Sequence, residues 1–362
     1  MAAHAVLLAA VFAILLHASA DPVAALGRWD GIAYRQISRY GYETHLLYSP
    51  NGVPQEMRIA FFPLFPYLVK LVAFPLGGST LASGILVSTV AALVASVGIY
   101  RVLRGYISDR AALLVVALWA AAPTAYLESM VYTESLFTAL SVFALIALIR
   151  HRWLTASALT ILAGLTRSTV VLVIAVVVAA ALIAIIRRRD GWRPYAAIVL
   201  SPLGIVGYWA FLGLRLHHLN AWFISQEAPG WRSSFDFGRQ TVKVVVQQLT
   251  FSQIGSAYRT VLLISIAILA PLLVSTILLV RDRTIAWQLS AWSAATVVFT
   301  LLSSGAFTSK PRFLLPCFPL LIPAAKLLAK TRLYAAIPII AVLAVLGGWV
   351  GAYFVHWANA AP

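Results

Sequence analysis

Acids and cysteine are the residues this chain has least of. Of its 362 residues 11 are Asp or Glu, against 27 Lys or Arg, and Cys317 is its one cysteine. A lone cysteine inside an apolar run excludes an internal disulfide and a thiolate metal site. His, Asp and Glu do not stand together at ligand spacing, and His217-His218 is an isolated pair at a helix end, so no metal is expected. Charged residues make up 10% of the chain, far below the roughly 25% of an average soluble domain. A net charge of +16 would suit a nucleic-acid binder. Here, however, the cations fall between apolar segments, where they act as topology signals and contacts for lipid phosphates. Membrane lipids, not nucleic acid, are the expected surroundings.

What the chain does have is apolar length. Hydrophobic residues make up 62% and mean hydropathy is +0.91. Apolar runs of helix-spanning length recur throughout, the mark of an all-α polytopic membrane protein. Residues 4–20 end in Ala18-Ser19-Ala20, which resembles a signal-peptidase site, but no Lys or Arg precedes them. An uncleaved first helix is the expectation, leaving 21–58 outside the membrane with a turn cluster at Pro50, Asn51, Gly52 and Pro54. Phe61-Phe62-Pro63-Leu64-Phe65-Pro66-Tyr67 carries two prolines and four aromatics, a pattern suited to an interfacial helix and poor for a span. If 60–76 does not cross, spans are expected at about 79–101, 111–125, 132–149, 154–166, 169–186, 194–214, 258–280, 284–304, 312–329 and 333–357. The basic turns at Arg101 to Arg110, Arg150 to Arg152, Arg187 to Arg193, Arg281 to Arg283 and Lys330 to Arg332 then share one side, as the positive-inside rule asks. The expectation is about eleven transmembrane helices in one domain, 1–362, with interfacial helices in the first external loop. Its parts are a module over 1–214, an external loop over 215–257 and C-terminal helices over 258–362.

In that topology the unusual side chains gather outside. Gly27-Arg28-Trp29-Asp30-Gly31 puts a carboxylate, a guanidinium and an indole just past the first apolar segment, with Tyr34 a turn further on. Glu128, Tyr132 and Glu134 occupy one turn, Arg167 another, and Lys310 and Arg312 a third. Ionisable groups beside hydrocarbon are costly and usually serve a site or a partner. A mixed external face of acids, aromatics and cations suits glycosyl transfer from a lipid phosphate. Arg167, Lys310, Arg312 and Arg28 are the candidates to hold that phosphate, since guanidinium matches phosphate oxygens and can stand where a metal otherwise would. Asp30 is the candidate base for the acceptor hydroxyl. Trp29, Tyr34, Glu128, Tyr132 and Glu134 are candidate substrate contacts. Each has a plainer reading: Asp30 as a helix N-cap, Arg167 as a helix C-cap, Lys310 and Arg312 as snorkelling anchors, Glu134 as a first-turn acid. A lipid-linked sugar flippase would also need many spans and cations, but should carry ionisable groups deep in spans and a repeat in two halves. A scaffold would leave Asp30 without a task.

The same residues resemble the PIG-V mannosyltransferase family. The likeness lies in Arg28-Trp29-Asp30-Gly31 with Tyr34, Ile37 and Gly41-Tyr42, and in Phe61 to Pro66. It continues in Tyr132-Thr133-Glu134-Ser135-Leu136-Phe137, Leu165-Thr166-Arg167-Ser168, Pro311 to Pro316 and Phe318-Pro319-Leu320. The resemblance implies a GT-C glycosyltransferase fold, an acid in the first external loop, and a polyprenyl- or dolichyl-phosphate-mannose donor. Two departures stand out. Ser168 is followed by Thr169 and Val170 where a glycine is expected, and the Ala/Val/Arg-rich composition looks bacterial. The eukaryotic acceptor, a glycosylphosphatidylinositol anchor, therefore does not carry over. A glycolipid, a lipoglycan or a protein hydroxyl takes its place as the expected acceptor, at the extracytoplasmic face of a bacterial plasma membrane.

Overall fold

The computed structural model describes residues 1–250 and 256–358. Residues 251–255 of the expected external loop, and 359–362, lie outside the described residues. The chain opens with α1 (Ala2–His17), the single turn α2 (Pro22–Ala25), α3 (Asp30–Tyr40) and α4 (Leu64–Ala73). It continues through α5 (Thr80–Leu103), α6 (Asp109–Ala120), α7 (Glu134–Ile149), α8 (Trp153–Gly164) and α9 (Val170–Ile186). Then come α10 (Arg193–Leu200), α11 (Leu203–Leu216), α12 (Ala221–Gln226) and α13 (Arg239–Leu249). The last group is α14 (Ser256–Arg281), α15 (Trp287–Leu302), α16 (Lys310–Phe313), α17 (Ile322–Leu328) and α18 (Leu333–His356). Among the described residues no sheet forms; two isolated bridges join Tyr48 to Pro54 and Phe235 to Ser303.

Small residues decide how these helices pack. Gly98, Ala91 and Ala95 are buried on α5, which lies against α7. A Cβ on Gly98 would come within 2.5 Å of the Val142 side chain. At the crossing of α8 and α11 the contact is closer still: a Cβ on Gly204 would sit 2.0 Å from the Ile161 carbonyl oxygen. Backbones approach this closely only where side chains are missing, the usual solution for helices that gain nothing from water exclusion. Helix starts carry their own signals. Ser79 and Ser108 accept hydrogen bonds from the Ala82 and Ala111 amides at 3.3 Å, capping α5 and α6.

The expected count of about eleven spans is not met. Among the described residues four helical stretches are long and apolar enough to cross a membrane: Thr80–Leu103, Arg193–Leu216, Arg259–Arg281 and Leu333–His356. A fifth would need Phe307–Phe313 and Phe318–Leu328 together, and that pair is bent by 84°. The other expected spans correspond to helices such as α6 and α8, each of 12 residues, and α7, of 16. At about 1.5 Å per residue these fall short of a hydrocarbon core of roughly 30 Å. The reason is visible at 121–133, which hydropathy alone joins to its neighbours. There the chain leaves α6, makes the 3-10 turn Ala125–Glu128 and stays buried through Thr133 without regular α-helix. Its apolar residues line the interior of the protein rather than lipid, and that interior holds the site.

Candidate active site

Four segments far apart in sequence meet at this point, one of them the turn between α8 and α9 that carries Arg167. The first is the start of α3. Leu26 accepts from the Val131 amide at 2.9 Å, which ties the 26–30 segment to the buried 130–133 turn. Trp29 caps α3 with φ +55, an uncommon conformation for a bulky residue that leaves Asp30 at the first position of the helix. The Asp30 amide donates to the Tyr132 hydroxyl at 3.3 Å. The second segment is the 130–134 turn itself, anchored by Ser88, whose hydroxyl donates to the Tyr132 carbonyl at 3.1 Å. The third is α16, where Pro311 sits in the first turn and Arg312 projects toward Asp30.

Together they form a chain of alternating charge. Arg312 Nη2 lies 2.8 Å from Asp30 Oδ2, with side chains only 12% and 16% exposed. Arg312 Nε lies 3.8 Å from Glu134 Oε1, and Arg167 Nη1 donates to that same oxygen at 2.5 Å. Glu134 is fully buried, so two guanidinium groups share one carboxylate out of water. Such an arrangement persists only when every charge has a counter-charge. Arg167 also donates to Thr133 Oγ1 at 3.1 Å, and Tyr34 meets that hydroxyl at 3.3 Å. Aromatic faces complete the surround: the Arg312 guanidinium lies 5.4 Å from the Tyr132 ring centre and 5.3 Å from that of Phe313. Burial pushes the Tyr34 and Tyr132 phenols up, helped by the Asp30 charge, so both stay protonated donors. Two Arg312 nitrogens, Nε and Nη1, make no hydrogen bond among the described residues. A buried guanidinium with unused donors is an anion acceptor in waiting.

Arg312 lines a polar cavity and a small void that shares walls with an apolar one. On one side is a polar cavity of about 780 Å³ whose walls include Trp29, Asp30, Arg58, Trp231 and Arg312. On the other is an apolar cavity of about 670 Å³ between α6, α14, α17 and α18, lined by residues such as Trp119, Leu272, Leu315 and Trp349. Between them lies a small void of about 10 Å³ that shares walls with both: Thr124, Ile268, Pro311 and Val350 line it and the apolar cavity, Thr308 and Arg312 line it and the polar one.

Among the residues singled out from sequence, Asp30, Tyr34, Tyr132, Glu134, Arg167 and Arg312 form this one cluster, and Trp29 lines the cavity beside it. Three others point elsewhere. Lys310 is buried with Nζ donating to the Thr300 and Ser303 carbonyls, both at 2.5 Å, where it closes the C-terminal end of α15. Arg28 donates to the Val355 carbonyl at 2.6 Å, pinning the first loop to the end of α18. Glu128 lies deep in the bundle with Oε2 3.8 Å from His4 Nδ1, and burial raises its pKa well above the usual carboxylate value. Two residues that sequence reasoning did not place in the site belong to its walls. Thr133 bridges Tyr34 and Arg167, and Glu43 lines the polar cavity. The scarcity of acids was itself a signal for Glu43. Among the described residues no group of three or more His, Cys, Asp or Glu side chains gathers as a metal would require.

No family model matches the chain, and no curated protein does. Its backbone is similar to solved structures of ArnT from Cupriavidus metallidurans. Against ArnT bound to undecaprenyl phosphate the TM-score is 0.52 at 16% identity, covering 83% of this chain and 55% of that one. Against the apo state the TM-score is again 0.52 at 16% identity, covering 84% of this chain and 55% of that one. The chain therefore spans about half the length of the ArnT chains it matches. At this identity the likeness is one of all-α fold, and several helices of the chain are long and apolar enough to make it a multi-pass membrane protein.

Proposed function

We propose that this protein is a glycosyltransferase that moves a mannosyl group from a polyprenyl-phosphate donor to a hydroxyl acceptor, on the extracytoplasmic face of a bacterial plasma membrane. The observation that carries the proposal is the position of Arg312 between an apolar cavity and a polar one. A polyprenyl-phosphate-sugar has the same three parts in the same order: an apolar chain, a phosphate and a sugar. The likeness to a fold solved with undecaprenyl phosphate supports the same class of donor. The family resemblance of the motif blocks supports mannose.

The chemistry follows from the charge chain. Asp30 is paired to Arg312 through Oδ2 and Nη2. An arriving phosphate offers Arg312 a better-matched anion and takes over the fork, using nitrogens that make no hydrogen bond otherwise. Asp30 is then free to accept the proton of the acceptor hydroxyl as its oxygen attacks the anomeric carbon. The bond from that carbon to the phosphate oxygen breaks, and the polyprenyl phosphate leaves with its charge held by Arg312. Arg167 and Glu134 keep Arg312 aimed. Basic side chains here carry the charge that a metal clamp carries in other transferases.

The test is a transfer assay on protein in lipid nanodiscs, with labelled polyprenyl-phosphate-mannose, a crude envelope-lipid acceptor fraction and chelator present. Wild type is expected to label an acceptor and Asp30→Asn is not. If wild type leaves the label on the donor but moves the donor between leaflets of a vesicle, the protein is a flippase and the proposal falls.

A further inference from the structure

The polar cavity carries a second ion pair, separate from Asp30 and Arg312. Glu43 and Arg58 both line the cavity, and Glu43 Oε1 accepts from Arg58 Nε at 2.7 Å and from the Arg58 amide at 3.0 Å. The Glu43 side chain is only 9% exposed, and its other oxygen, Oε2, has no hydrogen-bond partner. A buried carboxylate oxygen left unmatched costs free energy that a structure normally avoids, and it commonly marks a place where a ligand supplies the missing donor.

This wall is also rigidly held. Arg215 on α11 donates to the Glu43 carbonyl at 3.0 Å, and the Tyr208 hydroxyl reaches the Ile59 and Phe61 carbonyls at 2.9 Å each. The Tyr42 hydroxyl adds a third bond to this strip, donating to the Phe61 carbonyl at 2.8 Å. Phe61 in turn meets Trp231 edge to face at 5.7 Å, and Trp231 forms part of the same cavity lining. A hydrogen-bonded carboxylate–guanidinium pair that shares a cavity with an indole matches one kind of ligand well. Neighbouring hydroxyls of a sugar can donate to the carboxylate and accept from the guanidinium together, while the C–H face of the ring lies on the indole. A serine or threonine in a peptide offers one hydroxyl and no such face.

We infer that Glu43, Arg58 and Trp231 form the acceptor subsite, and that the acceptor presents a carbohydrate. The inference rests on the transferase reading above, in which the acceptor must enter the cavity that holds Asp30. Glu43 and Trp231 are positioning residues in this scheme; Asp30 remains the base.

Binding without donor separates the two ideas. Protein in nanodiscs is titrated with a soluble methyl mannobioside, with a short Ser/Thr peptide and, separately, with undecaprenyl phosphate. The mannobioside is expected to bind wild type, and Glu43→Gln and Trp231→Phe are each expected to weaken it by about tenfold. Both variants should bind undecaprenyl phosphate as wild type does, which also reports that they are folded. In turnover their acceptor KM should rise with kcat little changed. Mannobioside binding that is unaffected by both variants overturns the subsite, as does a peptide that binds in a Glu43-dependent way while the disaccharide does not. Failure of wild type to bind undecaprenyl phosphate counts against the transferase reading, whatever the disaccharide does.

Discussion

Two buried acids of this chain invite the same reading and have different surroundings. Glu134 is fully buried between two guanidinium groups and is one contact from a cavity, through Arg312. Glu128, six positions earlier, is also buried, but its neighbours are His4 and the interior of the bundle, and it lines none of the cavities at the site. Scarcity and burial are common to both. Only Glu134 belongs to a charge network that opens onto space a substrate can enter. The comparison teaches that an ionisable group in a membrane protein has to be read with its counter-charges and its access, since burial alone is also how a structural acid looks.

Substitutions can break that contrast at either end. The largest effect is expected at the open end of the network. Asp30→Asn should lower transfer by about 10³-fold, the usual scale for a general base, measured as initial rate at saturating donor, and chelator should leave wild type unaffected. Glu134→Gln comes next. It leaves Arg167 without its carboxylate partner and Arg312 with Asp30 alone, which costs roughly 3 kcal/mol and should weaken undecaprenyl phosphate binding, through loss of Arg312 aim, together with thermal stability. Lys310→Met should act on stability alone. Losing the donor to the Thr300 and Ser303 carbonyls costs about 1–3 kcal/mol, seen as a lower Tm, with the transfer rate of the folded fraction retained.

Glu128→Gln should have the smallest effect on transfer and a distinctive one on stability. Burial raises the Glu128 pKa above its unfolded value near 4.5. The folded state therefore holds the proton more tightly than the unfolded one, and stability is lost as pH rises above that unfolded value. Glutamine removes this loss. The variant should be more stable than wild type at neutral pH, with the gain vanishing as pH falls below about 4.5, in thermal melts across that range. A Glu128→Gln variant that loses transfer as Asp30→Asn does would erase the distinction between the two acids.

The parts of the site that could be read from sequence were those where residue type and position suffice. Asp30, Glu134, Arg167 and Arg312 stand out because acids are few and because each sits at the edge of an apolar run. Lys310 has the same signature two residues from Arg312, yet half a helical turn sends it to the carbonyls of α15. Direction at that scale depends on Pro311 and on how α16 packs, which a linear pattern does not carry. Arg28 was drawn off by the Val355 carbonyl, 327 positions away. The helices had a similar boundary of legibility. Thr80–Leu103 and Leu333–His356 match their apolar runs closely, because each run continues as one unbroken helix. The run through 111–149 reads as two spans, but its middle folds inward around the site, and hydropathy cannot tell a lining residue from a lipid-facing one.

The central claim is that Arg312 exchanges Asp30 for the donor phosphate. Its most direct measurement is the affinity of undecaprenyl phosphate for wild type, Asp30→Asn and Arg312→Gln, by native mass spectrometry or calorimetry in nanodiscs. Removing the competing carboxylate should leave binding to Asp30→Asn as tight as wild type or tighter while transfer is lost, and Arg312→Gln should bind at least tenfold more weakly. Equal weakening in both variants would mean that Asp30 helps to hold the phosphate site instead of yielding it, and the exchange would not occur.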